Sequence, residues 1–270
     1  MTTRGERDGL WIDLNCDMGE SFGVYRLGAD EEVMPLITSA NVACGFHGGD
    51  PDVMAKTVAL AKQHGVGVGA HVSFPDLLGF GRWEMHVPPD TLVNVIVYQI
   101  GALQAFCARE GVPLQHVKPH GSLNNMADKD EKVAQAIVRA CRASVPDAPL
   151  FVKPGTLLHA EAAAAGQPVV MEVYADRQYH RDGTLVSRRH PQALVRDPQE
   201  AAERMVRLLT TGSLESIEGV PVSLPAQSVC VHGDTPDAPS IIRRLRDALA
   251  QAGVRIAPVS QWLGTGRGGA

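Results

Sequence analysis

Carboxylates, imidazoles and cations recur in this sequence at the ends of apolar runs, where an enzyme keeps groups that move protons and hold anions. Asp13, Asn15 and Asp17 alternate with Ile12 and Leu14. Side chains alternate across a strand, so the polar three share one face and the aliphatic residues the other. Inside a barrel such carboxylates need partners or a task, and a strand-end hydrogen-bond network is the plain alternative. His-Gly pairs stand at His47, His64, His120 and His232. Three of these histidines follow predicted strands and His71 closes another, whereas His64 ends a helix that Gly65 terminates. One histidine would be an ordinary core or rim residue; four at the carboxyl ends of separate strands fit an active site.

The segments Gly45 to Asp52 and Val231 to Asp237 share a layout: a strand ends in His-Gly, an acid follows, and a proline comes next. Asp50, and Asp234 or Thr235, are expected to cap helices with Pro51 and Pro236 at the first helical position. Capping does not exclude catalysis, and helix starts also attract anions. The candidates for proton transfer are therefore Asp17, His47, Asp50, His71, His120, Asp176, His232 and Asp234. Arg82, Lys118, Lys153 and Arg177 lie beside the same strand ends and, with Asn15, suit a carboxylate or phosphate; solvated loop charges are the alternative. A metal is a competing possibility, since Asp17, His47, His71, His120 and His232 offer ligands for Zn or Mn. No short His-x-x-x-His or His-x-Glu pair supports the metal-dependent amide hydrolase or deacetylase that such a site would make, and metal dependence stays open.

Three motifs fail on context. Gly19-Glu20-Ser21-Phe22-Gly23 fits a nucleophile elbow, but Val24 to Gly28 is a poor helix start. Asp13-x-Asn15-x-Asp17 begins like a calcium loop, yet Met18 and Val24 occupy the positions that need Gly and Glu. Gly264 to Gly268 precedes no helix, and no Walker-type loop occurs.

The elements that position these residues alternate along the chain. Candidate strands are Leu10 to Leu14, Ala40 to Cys44, Gly65 to His71, Gln115 to Pro119, Leu150 to Lys153, Val169 to Val173 and Ser228 to Val231, with Val254 to Ala257 as an eighth. Between them Met54, Thr57, Val58 and Ala61 recur at helical spacing, as do Val93, Ile96, Val97 and Ile100, and Ile242, Leu245 and Leu249. Long loops follow two strands, at Val72 to Pro89 and Tyr174 to Pro198. Seven or eight β-α units in 270 residues, without a shift in composition, predict one α/β domain, a (β/α) barrel over residues 1–270. A doubly wound sheet is second. Residues 1–9 and 264–270 are expected to be flexible ends.

A formal charge of -5 removes the basic footprint of nucleic-acid binding. The start has no apolar h-region, and the longest apolar candidate, Leu92 to Phe106, is interrupted by Asn94, Gln99 and Gln104. A cytoplasmic protein without a membrane span is expected. Five scattered cysteines without a Cys-x-x-Cys pair point to reduced thiols.

Asp13-Leu14-Asn15-Cys16-Asp17-Met18-Gly19-Glu20, Ala40 to His47, Val117-Lys118-Pro119-His120-Gly121 and Cys230 to Pro236 together resemble the LamB/YcsF family, as do Glu172 to Arg177, Tyr179 and Asp182 to Leu185. The resemblance runs from Ile12 to about Pro258. It implies a TIM-like barrel related to the glycoside hydrolase and deacetylase group. It also implies the work of a 5-oxoprolinase A subunit: ring opening of 5-oxo-L-proline to L-glutamate at the expense of ATP, with Mg2+ arriving on ATP and with separate B and C subunits. A homo-oligomer stays open, as does a non-catalytic carbohydrate- or partner-binding barrel. Asn124, Gln227, Gly49 and Trp83 depart from the family pattern, and the first two bear on substrate fit.

Overall fold

The computed structural model describes residues 10–235 and 237–263. The expectations for both chain ends and for Pro236 lie outside the described residues. Seven parallel strands close a barrel: β1 (Trp11–Met18), β2 (Ser39–Ala43), β3 (Gly67–Val72), β4 (Leu114–Pro119), β5 (Leu150–Val152), β6 (Val169–Tyr174) and β9 (Ser228–Val231), with β9 pairing back onto β1. This is the expected TIM-like architecture. The eighth predicted strand is β10 (Arg255–Ile256), which pairs only with Trp11 and Ile12 at the start of β1 and lies outside the closed ring. A small antiparallel hairpin, β7 (Ser213–Glu215) and β8 (Pro221–Ser223), was not expected.

Helices α2 (Pro51–His64), α3 (Pro89–Glu110), α5 (Glu131–Ser144), α6 (Leu157–Ala164), α7 (Pro198–Thr211) and α8 (Ala238–Gln251) flank the strands, with the short α1 (Asp30–Val33) and α4 (Gly121–Ala127) between them. The predicted apolar positions do the packing: Met54, Thr57, Val58 and Ala61 on α2, Ile96 and Ile100 on α3, and Ile242, Leu245 and Leu249 on α8 are all buried. By length and composition α3 could cross a membrane. Here one face covers the barrel, and the Gln99 amide hydrogen-bonds the backbone of Ser73 through both its oxygen and its nitrogen. Gly65 takes the left-handed conformation after His64, as expected of a helix stop. All five cysteines are free and buried.

The lower end of the barrel is filled. Phe151 and Val170 pack with Ala257, Val259 and Trp262 from the segment after β10, and the Trp262 indole donates to the Ala257 carbonyl. Close approach across β3 and β4 requires glycine, because a Cβ on Gly69 would strike the His116 imidazole.

Candidate functional site

The inward residues of β1 start three rungs of a polar ladder inside the barrel. At the bottom, the Asp13 carboxylate accepts from Ser39 (2.6 Å), Thr38 (2.8 Å) and Ser228. Burial pushes this acid up to about 6, although all three hydroxyls favour its charged form. One rung higher, Asn41 donates to Asn15 (2.7 Å) and His116 bonds the Asn41 oxygen at 2.7 Å. Burial pulls His116 down to about 3, and Lys118 lowers it further, so it is neutral.

The third rung is ionic. Lys118 Nζ lies 2.9 Å from Asp17 Oδ1 and 2.9 Å from Glu172 Oε1, and also donates to Asn15 Oδ1 at 3.2 Å. The lysine is 2% exposed. Burial disfavours its charge, but Asp17 leads the neighbours that outweigh it and hold the ammonium well above its ordinary range. For Asp17 burial likewise loses, to His71 and then Lys118, and the carboxyl is held well below the carboxylate range. Glu172 escaped the sequence nominations, although a charge inside the apolar run Val169 to Val173 was a signal.

At the carboxyl ends of the strands, His47, His71 and His120 form one cluster. His47 and His120 stack with ring centres 3.8 Å apart, and His71 meets His120 edge-on at 4.8 Å. Glu20, which the sequence placed in a discarded motif and at the end of a family segment but not among the candidate site residues, joins them with Oε1 3.1 Å from His47 Nε2. Burial, then Asp17 and Asp234, push the Glu20 carboxyl well up. Burial, with neighbouring histidines, pulls His47 and His120 well down. The loop Val72 to Pro89 is clamped over this cluster: Gly121 is left-handed at φ +55°, and any Cβ there would strike the Gly81 carbonyl. His120 Nε2 bonds the Phe80 carbonyl at 2.9 Å.

His232 lies in a second group with Asp17 and Cys230, so the five predicted ligands do not converge on one point. Its Nδ1 is 2.9 Å from Asp176, which also accepts from Thr235 and from the His232 backbone amide. Burial opposes charge on Asp176, but His232 and Thr235 win and bring it to about 2. Tyr174 stacks on the His232 ring at 5.1 Å, and the imidazole remains 13% exposed.

The remaining nominated residues have other partners. Asp50 caps α2, accepting from Asp52 and Val53, and also accepts from the Gly23 amide. Neither Asp234 nor Thr235 caps α8: the cap position is Asp237 at φ 59°, whose side chain accepts from the Ser240 hydroxyl and caps no backbone amide, because Thr235 is turned to Asp176 and Asp234 to Arg82. Arg82 also lies over the Phe80 ring, and Arg188 approaches Asp234 at 4.0 Å. Lys153 pairs with Asp128 and Asn125, while Arg177 donates to the Val186 carbonyl at 2.6 Å and braces its own loop. Asn124 reaches the Tyr174 hydroxyl at 3.4 Å, beside the site. Gln227 bonds the backbone of Met171 at the amino end of β9, away from the histidines.

A closed parallel barrel with a buried acid–lysine rung and a crown of histidines at the carboxyl ends of its strands is a TIM-like barrel of the kind that holds its site at that face. The model of the LamB/YcsF family matches residues 12–264. The chain belongs to that family. It is 51% identical to the 5-oxoprolinase A subunit of Symbiobacterium thermophilum, over 91% of this chain and 94% of that one. The 5-oxoprolinase A subunit of Thermus thermophilus is 49% identical, over 91% of this chain and 98% of its own. The crystal structure of the lactam utilization protein from Thermus thermophilus superposes with a TM-score of 0.88 at 48% identity, covering 92% of this chain and 99% of that chain.

Proposed function

We propose that this chain is the barrel subunit of an ATP-dependent 5-oxoprolinase, which opens 5-oxo-L-proline by hydrolysis to L-glutamate as ATP becomes ADP and phosphate. The observation that carries this reading is the 51% identity, over nine-tenths of the chain, to a relative named as the A subunit of 5-oxoprolinase. The geometry supplies what the chemistry needs. A five-membered lactam is a resonance-stabilised amide; transfer of the ATP γ-phosphoryl group to its oxygen activates the ring carbon, addition of water and cleavage of the C–N bond leave the acyl phosphate of glutamate, and a second water hydrolyses that to L-glutamate and phosphate.

His232 is the proton carrier. Asp176 fixes its proton on Nδ1, which leaves the Nε2 lone pair to accept the proton of the attacking water and then pass it to the departing ring nitrogen. Arg82, with a guanidinium side chain 37% exposed, takes an anionic group of substrate or nucleotide. Lys118 and Lys153 act on position rather than on anions, since they are buried in ion pairs with Asp17, Glu172 and Asp128, and Arg177 braces its loop through the Val186 carbonyl. ATP brings Mg2+, separate B and C subunits complete the enzyme, and the complex works in the cytoplasm.

The test is glutamate release from 5-oxoproline and ATP, with the full chain alone and then with its B and C partners, with and without a chelator. Turnover only in the mixture, lowered at least about 100-fold by His232→Asn, is the expected result. Absence of turnover in every mixture refutes the proposal.

A further inference from the structure

The hydrogen bonds of the histidine cluster fix where its protons lie. His71 Nδ1 is 3.0 Å from the Lys118 carbonyl and His120 Nε2 is 2.9 Å from the Phe80 carbonyl. A carbonyl only accepts, so both of those nitrogens carry hydrogen. The other nitrogens, His71 Nε2 and His120 Nδ1, are then lone pairs in the neutral rings, and they face each other at 3.0 Å. Glu20 Oε1 lies 3.9 Å from the same His120 Nδ1 and 3.1 Å from His47 Nε2. The remaining nitrogen of His47, Nδ1, is buried without a hydrogen-bond partner, so nothing prevents the proton from residing there and freeing Nε2. Four donor atoms of Glu20, His47, His71 and His120 thus lie within 4.8 Å of one another. Lone pairs crowded in this way need a positive centre between them.

We propose that Glu20, His47, His71 and His120 form a binding site for one first-row divalent metal ion, of which Zn2+ is the best match. A tetrahedral ion with metal–nitrogen bonds of about 2.0–2.1 Å holds its donors about 3.3 Å apart, and the separations of 3.0, 3.1 and 3.9 Å straddle that value. Metal-bound histidines characteristically donate their second N–H to a backbone carbonyl, as His71 and His120 do here. A proton on His71, shared with His120 and with Asp17 at 3.3 Å, is the competing occupant. A proton joins one pair of acceptors, whereas an ion joins all four. The inference concerns metal binding and does not rest on the activity proposed above: a chain that binds Zn2+ and never acts on 5-oxoproline upholds it.

The experiment uses the untagged full chain, stripped with a chelator and titrated with Zn2+ alone and Co2+ alone. The expected result is one equivalent bound per chain, with the intense visible bands of four-coordinate Co2+, and an affinity at least about 100-fold weaker in Glu20→Gln and His47→Asn. Proton–nitrogen spectra of the histidine side chains in the wild-type chain give a readout that does not depend on the variants folding. Zn2+ should move the resonances of His47 Nε2, His71 Nε2 and His120 Nδ1 and leave His116 in place. Failure to retain stoichiometric metal, binding equally tight in both folded variants, or an unmoved imidazolium proton on His71 at saturating Zn2+ overturns the proposal.

Discussion

Replacing Lys118 with methionine keeps the hydrocarbon stem and removes the one cation placed between two buried carboxylates. Asp17 is 4% and Glu172 1% exposed, and each stands 2.9 Å from the lysine nitrogen. Removing one partner of a buried ion pair costs about 3–5 kcal/mol, because the partner left behind has neither water nor counter-charge. We therefore expect Lys118→Met to lose about 3–5 kcal/mol of stability, read from the midpoint and slope of urea unfolding followed by far-ultraviolet circular dichroism. Lys118→Met with Glu172→Gln removes one of the stranded charges and should be more stable than the single variant by about 1–3 kcal/mol. The sign of that coupling is the stringent part. A single variant within about 1 kcal/mol of wild type, or a double variant less stable than the single, would show that the lysine is not what neutralises this rung.

Asp176→Asn removes the acceptor that sets the His232 tautomer, so turnover per folded molecule of the assembled enzyme should fall at least about 100-fold; equal turnover would remove His232 from the proton path. Asp13 titrates at about 6 in the fold against 3.8 when unfolded. The folded state thus holds the extra proton between those values, and its stabilisation is complete below pH 4 and lost as the pH rises through 6, about 3 kcal/mol in all. Urea midpoints across that range should show Asp13→Asn gaining on wild type as the pH rises, and parallel curves would contradict the assignment. Gly69→Ala drives a methyl group into His116 and should cost at least about 2 kcal/mol in the same assay, since the imidazole is pinned to Asn41 and cannot swing away.

The barrel was legible because its strands are short apolar runs separated by amphipathic helices, and the inward face of β1 was legible from period-two alternation through Asp13, Asn15 and Asp17. Its full length was not: the strand continues to Met18, carrying Asp17 into the pairing with Asn41, and stops at the left-handed Gly19. The hairpin over residues 213–223 was missed because its strands, Ser-Leu-Glu and Pro-Val-Ser, are three residues each and too short to give a periodic signal. The partners that hold Arg177 and Lys153, a carbonyl nine residues away and Asp128, were not legible from charge, because they are nondescript or distant in sequence. Glu20 was hidden for a different reason. It lies beyond the end of its strand, where alternation no longer says which way a side chain points, and only the fold brings it to His47.

The cluster of Phe151, Val170, Val259 and Trp262 makes the barrel a cul-de-sac. Whatever reaches the histidine crown arrives past the loops that follow the strands, and whatever is made there leaves by the same road. Product and the next substrate therefore compete for one doorway, and any protein seated on that rim becomes the gatekeeper for traffic in both directions. An enzyme built this way has its order of events imposed by plumbing as well as by chemistry.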